Sequence, residues 1–319
     1  MAGRFLKTSG LRRSDNERVN MKRRDFLLSA GASAVGGTLF PHVFEPLFAA
    51  PPRPHAVWVE NGEPAVLLTA ALKEMGGMGS FISRGDVVVV KPNVGWDRAP
   101  QFAATTNPDL VAALVQECLT AGAKTVKVFD RTCNNPLRCY TNSQIEEKAK
   151  SAGADVTHIR ENRFVTKAIN GETVKEWPVY RDYLEADKVI NVPIAKHHSL
   201  CRVTLGMKNL MGVMGGNRGD LHNGFTRKIV DISRTILPTL TIIDAYRILT
   251  ANGPVGGNLA HVKHPRTLII SPCLVSADYL ALDLFGLKVD QVDVVADALK
   301  HGLNKFDSKT LNVKRLRLS

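Results

Sequence analysis

The chain carries no G-x-G-x-x-G fingerprint at its first strand-to-helix turn and no G-x-x-x-x-G-K-[ST] loop. Those absences disfavour a dinucleotide or a P-loop nucleotide as cofactor. It has no G-x-S-x-G elbow, which argues against a serine hydrolase of that type. Its five cysteines include no C-x2-C-x2-C run, and their spacing is that of no common cluster. Aromatic residues are 6% of the chain, and no Lys/Arg-rich run is interleaved with them. Nucleic acid is therefore not an expected partner. No apolar run is long enough to span a bilayer stably.

What is present is a chain of 319 residues, 44% hydrophobic and 23% charged. That is enough apolar material for a sizeable core, and global disorder is not expected. The formal net charge is +12, a balance that suits an anionic ligand. At the N-terminus Lys22, Arg23 and Arg24 precede Asp25, Phe26, Leu27 and Leu28, and a mildly apolar stretch runs on to Phe40. The paired arginines before an apolar run resemble a twin-arginine export signal. The resemblance implies the twin-arginine export machinery as a partner and a periplasmic or other extracytoplasmic location. Cleavage is expected near Phe48-Ala49-Ala50, with an uncleaved anchor as the alternative, and Met21 is a second candidate start. Residues 1–50 thus read as an N-terminal extension and signal, 51–60 as a Pro-rich linker, and 61–319 as the folded domain.

Within 61–319, short apolar runs alternate with helical patterns. "DVVVVK" at 86–91 is a strand buried on both faces. Pro108 opens a helix that Gly122 can end. "KTVKVFD", "DVTHI", "KVINVP", "LTIIDAY" and "RTLIIS" are further strands, with helices at about 143–153 and 276–287. The alternation predicts an α/β fold: an open, mostly parallel sheet with helices on both faces, forming a single large domain.

Ligands bind such sheets beyond the carboxyl ends of the strands. Lys91 and Asn93 end the first strand, Asp130 and Arg131 the second, and Asp244 closes "LTIID". Lys196, His197 and His198 are expected just after another strand. Lys208 and Asn209 lie in "GMKNLMG", between glycines that let backbone approach a ligand. Lys91, Asn93, Lys196 and Asn209 are the expected ligand-binding set; His197, Lys208 and Asp244 are the expected catalytic set. His197 is taken ahead of His198 as general base or metal ligand, since adjacent strand residues point apart. Thr105 and Thr106 in "TTNP" offer hydroxyls at a helix start, or simple capping. "GGNRGDLHNG" reads as a polar loop over the site, with Arg218, Asp220 and His222 as candidates. "GPVGG" at 253–257 is placed near it.

Cys118 is expected in the core. Cys133 and Cys139 flank "NNPLR", and an oxidising compartment would favour a disulfide between them. The alternative gives Cys133, Cys139, Cys201 and His197 to a metal or iron–sulfur cluster. The cofactor therefore stays unassigned.

The runs "VVVVKPN", "TTNPDLVAALVQECLTAGAKTVKVFD", "VINVPIAKHHSLCRVTLGMKNLMGVMG", "LTIIDAYRILTANGPVGG" and "SADYLALDLFG" together resemble the DUF362 family, a prokaryotic domain of unknown function. The resemblance covers roughly residues 84–300. It implies the α/β domain and marks Lys91, Asn93, Asp130, Lys196, His197, Lys208, Asn209, Asp231, Asp244, Asp278 and Asp283 as motif positions. Some members carry extra ferredoxin-like cysteine motifs, which this chain lacks. Two functions stay open: an exported enzyme or cofactor protein, and a binding protein that holds a small anionic ligand without chemistry.

Overall fold

The computed structural model describes residues 53–319. The twin-arginine-like segment, its cleavage point and the alternative start lie outside the described residues. Residues 56–60, expected to end the linker, instead form a strand, β1 (Ala56–Glu60). Ala56, Val57 and Val59 are fully buried there, so this apolar run is part of the sheet and not a tether. The first helix, α1 (Pro64–Glu74), follows with proline in its first turn.

The elements read from the sequence appear in order. β2 (Val87–Pro92) leads to α2 (Pro108–Thr120), β3 (Thr125–Val128), α3 (Pro136–Asn142), α4 (Ile145–Ser151) and the two-residue β4 (Asp155–Val156). A hairpin of β5 (Phe164–Ala168) and β6 (Glu176–Tyr180) stands as a separate small sheet. A short α5 (Arg181–Leu184) then returns the chain to β7 (Lys188–Val192). Beyond Pro193 come β8 (Ile194–His198), β9 (Arg202–Thr204), α6 (Gly206–Asn209) and α7 (Phe225–Thr235). The C-terminal part holds β10 (Leu240–Leu249), β11 (Val262–Lys263), β12 (Thr267–Ser271), α8 (Leu274–Ala281), α9 (Asp293–Lys300) and β13 (Val313–Arg317).

The main sheet runs β13-β1-β12-β10-β7-β2-β3-β4. Strands β10, β7, β2, β3 and β4 are mutually parallel. β12 is antiparallel to both β10 and β1, and β13 lies parallel to β1. The sheet is thus mostly parallel and mixed towards one edge. Alternation along β2 fills both faces: Val88 and Val90 join the core under α1, α2 and α4, while Val89 joins the core under α7, α8 and α9. Helix α2 shows the same logic, burying Leu110, Val111, Leu114, Val115 and Cys118 along one stripe. Among the described residues, no helix is long and apolar enough to cross a membrane.

One feature of this order positions the site. The parallel strands point their carboxyl ends to the same edge, and β8 continues from β7 to extend that edge along β10.

Candidate functional site

A cavity of about 300 Å³ opens at the carboxyl edge, large enough for a metabolite of a few heavy atoms. Its walls include Lys91 and Asn93 from the end of β2 and Asp130 and Arg131 from the end of β3. Lys196 and His198 come from β8, Thr204 from β9, and Lys208 and Asn209 from α6. Arg218 and Cys133 complete the basic rim. Lys91, Asn93, Lys196, Lys208 and Asn209, all expected from the sequence, therefore meet in one place.

The lysines differ in how their charge is held. Lys91 is wholly buried and forms an ion pair with Asp130, Nζ to Oδ1 2.6 Å, and donates to Pro92 O at 2.7 Å. Burial pulls Lys91 below its ordinary pKa, and Asp130 opposes that pull. Asp130 in turn accepts from Val94 N at 2.6 Å. Lys208 is largely buried, with Nζ 3.6 Å from Met211 Sδ and 5.2 Å from the Phe225 ring centroid. Burial also lowers the Lys208 pKa. Lys196 donates to Asn93 Oδ1 at 3.1 Å and to the Ala104 carbonyl. Its pKa falls to about 7, chiefly through burial, with Lys208 and Lys91 adding repulsion against the partial relief from Cys133 and Asp130.

An amide chain fixes this floor. Asn191 Nδ2 donates to Gly206 O at 3.0 Å, Asn209 Nδ2 to Asn191 Oδ1 at 2.9 Å, and Asn93 Nδ2 to Asn209 Oδ1 at 3.0 Å. Each amide thereby sets the orientation of the next, ending at Lys196. The two glycines flanking Lys208 and Asn209 serve a different end from the one expected. A Cβ at Gly212 would collide with Asp130 Oδ1 and the Lys91 ammonium, and one at Gly206 would stand 2.6 Å from Asp278 Oδ1. Both glycines let backbone approach buried carboxylates of the protein itself. Asp278 accepts from Gly206 N at 2.6 Å and Met207 N at 2.9 Å, which seats α6 and presents Lys208 and Asn209. Burial raises the Asp278 pKa to about 7 against those two bonds.

Several expectations are corrected. His197 does not line this cavity. Side chains alternate along β8, so Lys196 and His198 share the site's side while His197 faces away towards Arg202, Thr250 and Lys263. There His197 Nδ1 accepts from Gly253 N at 3.1 Å. Asp244 is also outside the cavity. It is buried, and its Oδ2 accepts from Asn107 N at 2.7 Å and its Oδ1 from Tyr246 N at 3.1 Å. The anion at the start of α2 is thus the protein's own carboxylate. Thr106 likewise clamps backbone, accepting from Asn93 N and donating to Val192 O, both at 2.8 Å.

Cys133 and Cys139 are both free thiols. Asn135 and Pro136 start α3, which turns Cys139 into the core while Cys133 stays exposed ahead of the helix. Cys118 is buried as expected. Cys201 lies half-buried, donating to Val203 O at 3.3 Å. Cys133, Cys139, Cys201 and His197 are not assembled into a donor set. Among the described residues, no group of three or more His, Cys, Asp or Glu side chains could hold a metal ion.

Of the polar loop, Arg218 reaches the cavity and anchors there, donating to Arg131 O at 3.0 Å and Thr132 O at 2.8 Å. Asp220 is exposed and bonded to Asn217. The His222 side chain lies outside the described residues. Pro254 of "GPVGG" does line the cavity. Thr204 also lines the cavity, although its sequence context does not mark it. The signal for it was weak: a threonine two residues after Arg202, on a three-residue strand.

A family model described as "Domain of unknown function (DUF362)" matches residues 88–283, more than half of the chain. The chain belongs to the DUF362 family. The match spans every cavity residue named above. The chain is also similar to "Thylakoid-associated protein sll1697" of Synechocystis sp., 27% identical over 253 residues, covering 77% of each. Among solved structures, the lactate racemase apoprotein from Thermoanaerobacterium thermosaccharolyticum aligns at 10% identity with a TM-score of 0.45. That alignment covers 73% of this chain and 57% of the racemase chain.

Proposed function

We propose that this DUF362 protein binds a small organic anion in the cavity at the carboxyl edge of its sheet and acts on it as an enzyme. One observation carries the reading. Lys91, Lys196, Lys208, Arg131 and Arg218 line a single cavity in which Asp130 supplies the carboxylate charge. Asp130 offsets Lys91 at 2.6 Å and Glu161 offsets Arg131 at 2.9 Å, while Lys196, Lys208 and Arg218 have no carboxylate partner among the described residues and repel one another. A bound carboxylate or phosphate relieves that repulsion. Lys196, its pKa lowered by burial to about 7, can give or take a proton at a bound ligand.

The test is thermal melting of the wild type and Lys208→Met across organic acids and phosphates. An anion that fits should raise the wild-type melting temperature. Lys208→Met should lose a few kcal/mol of that binding, as expected when a charge pair is left half-made. Without ligand the variant should melt at or above the wild type, because a buried cation has been removed. A variant that melts far below the wild type in the absence of any anion would make Lys208 structural.

The site would operate outside the cytoplasm. Export through the twin-arginine machinery to the periplasm is supported by Arg23-Arg24 ahead of Phe26-Leu27-Leu28. Replacing both arginines by lysine should trap the protein in the cytoplasm, as cell fractionation reads. Unchanged arrival of the variant in the periplasm would refute this route.

A further inference from the structure

The proposed anion pocket also contains the parts of a covalent site. We propose that Lys196 is a nucleophile whose Nζ condenses with the carbonyl carbon of a small oxo acid to form an imine, with Thr204 assisting at the carbonyl oxygen. This rests on the anion-binding reading above and adds a bond to it.

The three lysines are not equivalent as nucleophiles. Lys91 is paired with the Asp130 carboxylate at 2.6 Å, which favours its ammonium form against burial. Lys208 lies near the face of Phe225, a contact that favours the charged form against the burial that lowers its pKa. Lys196 has neutral oxygens as its hydrogen-bond partners, Asn93 Oδ1 and the Ala104 carbonyl. A neutral amine has two N–H bonds and one lone pair. Those two acceptors take both N–H bonds and leave the lone pair for an electrophile. Burial and its cationic neighbours supply the neutral form in quantity near pH 7.

Thr204 provides an independent sign. It stands directly opposite Lys196 in the antiparallel β8–β9 pair, so the two side chains share a face. Both line the cavity. Its Oγ1 is buried and has no hydrogen-bond partner among the described residues, which is costly unless something polar meets it. A carbonyl oxygen at the reacting carbon would do so. The anionic end of the ligand has a partner as well. Among the described residues, the Lys208 ammonium is hydrogen-bonded only to a thioether sulfur, a poor acceptor, and keeps N–H capacity for a carboxylate. Arg131 and Arg218 are already tied to backbone carbonyls and add attraction at the rim.

The chemistry balances without a redox partner. The Nζ lone pair forms the C–N bond as the C=O π bond opens, and the oxygen takes a proton to give a carbinolamine. The C–O bond then breaks. The oxygen leaves as water carrying the equivalent of both amine hydrogens, and the C=N bond remains. The imine is an electron sink for a carbanion at the carbon beside it, and hydrolysis regenerates the lysine.

The experiment treats the full chain with pyruvate at pH 7, reduces with borohydride, and maps the modified lysine by peptide mass. Dihydroxyacetone phosphate forms the second arm, to separate a carboxylate from a phosphate anchor. Lys196 should carry at least about tenfold more label than any other lysine. Labelling should rise as pH passes through 7, and propionate, which has the carboxylate but no carbonyl, should compete with pyruvate. Thr204→Val should slow labelling by about tenfold, and Lys196→Arg should abolish it. If Lys196→Arg does not fold, the map of the wild type decides. Label absent, or spread over exposed lysines, overturns the imine. If propionate still raises the melting temperature in that case, the anion pocket stands alone. If no carboxylate or phosphate raises it, both proposals fail.

Discussion

Asp130→Ala should cost on the order of 3–5 kcal/mol of folding stability, read by urea unfolding at pH 7. The Lys91 side chain is fully buried and its carboxylate partner is Asp130, at 2.6 Å. Removing Asp130 leaves that ammonium without a counter-charge and strips Val94 N of the oxygen it donates to. Burial already depresses the Lys91 pKa, so the lone lysine can shed its proton, which caps the loss. Gly212 packs against the same pair, so on that side no side chain can take the place of the lost carboxylate. The double variant Lys91→Met/Asp130→Leu should recover much of the loss, because a buried pair exchanged whole for apolar groups is often neutral. A single-variant deficit under about 1 kcal/mol would show that the pair is solvated and the argument mistaken.

The unliganded protein should lose stability as pH rises from 5 to 7. Asp244 and Asp278 are buried carboxyls, and burial raises their pKa values to about 6 and about 7. In the unfolded chain both titrate near 4. Across this window the folded state therefore holds protons that the unfolded state has released, and folding weakens with pH. The contribution ends above pH 7, where both states are ionised. Each group is worth roughly 1.4 kcal/mol per pH unit until its folded pKa is reached, so from pH 5 to 7 the pair supplies on the order of 4 kcal/mol. Two other shifted groups leave the window alone. Asp231 is buried too, but the Thr173 N–H, Arg227, the Thr173 hydroxyl and the Val174 N–H outweigh that and hold it well below the ordinary range, so it is ionised in both states. Lys196, lowered to about 7, restores stability only from pH 7 up towards its unfolded value. Asp278→Asn should flatten the slope by the larger share. An equally steep slope in that variant, measured by melting temperature against pH, would place the titration elsewhere.

The layout of the fold was legible because burial on both faces leaves a mark in composition. "VVVV" in β2 and the Ile-rich runs of β10 and β12 can hardly be anything but interior strands. Pro108 and Gly122 bracket α2 as turn chemistry demands. The short strands β8 and β9 were not legible. Lys196, His197 and His198 read as polar residues leaving a strand, because nothing in three consecutive polar residues reveals that β10 pairs with them. That pairing shifts register between Asp244 and Leu249, so even a correct strand assignment would not have told which histidine turns inward.

The sequence by itself determined the class of fold, the edge of the sheet where polar residues gather, and the excess of cations there. Those follow from residue type and from periods of two and three to four along the chain. Tertiary structure decided what each charge does. Lys91 is neutralised from β3, Asp244 is spent on the start of α2, and Asp278 reaches back from α8 to hold α6. His198, not His197, joins Lys196 at the cavity. Each of these depends on partners tens of residues or more apart, or on a one-residue parity that flips a side chain to the other face. Local sequence carries neither the distance nor the parity, so packing alone settles which lysine is an ion pair and which meets only neutral oxygens.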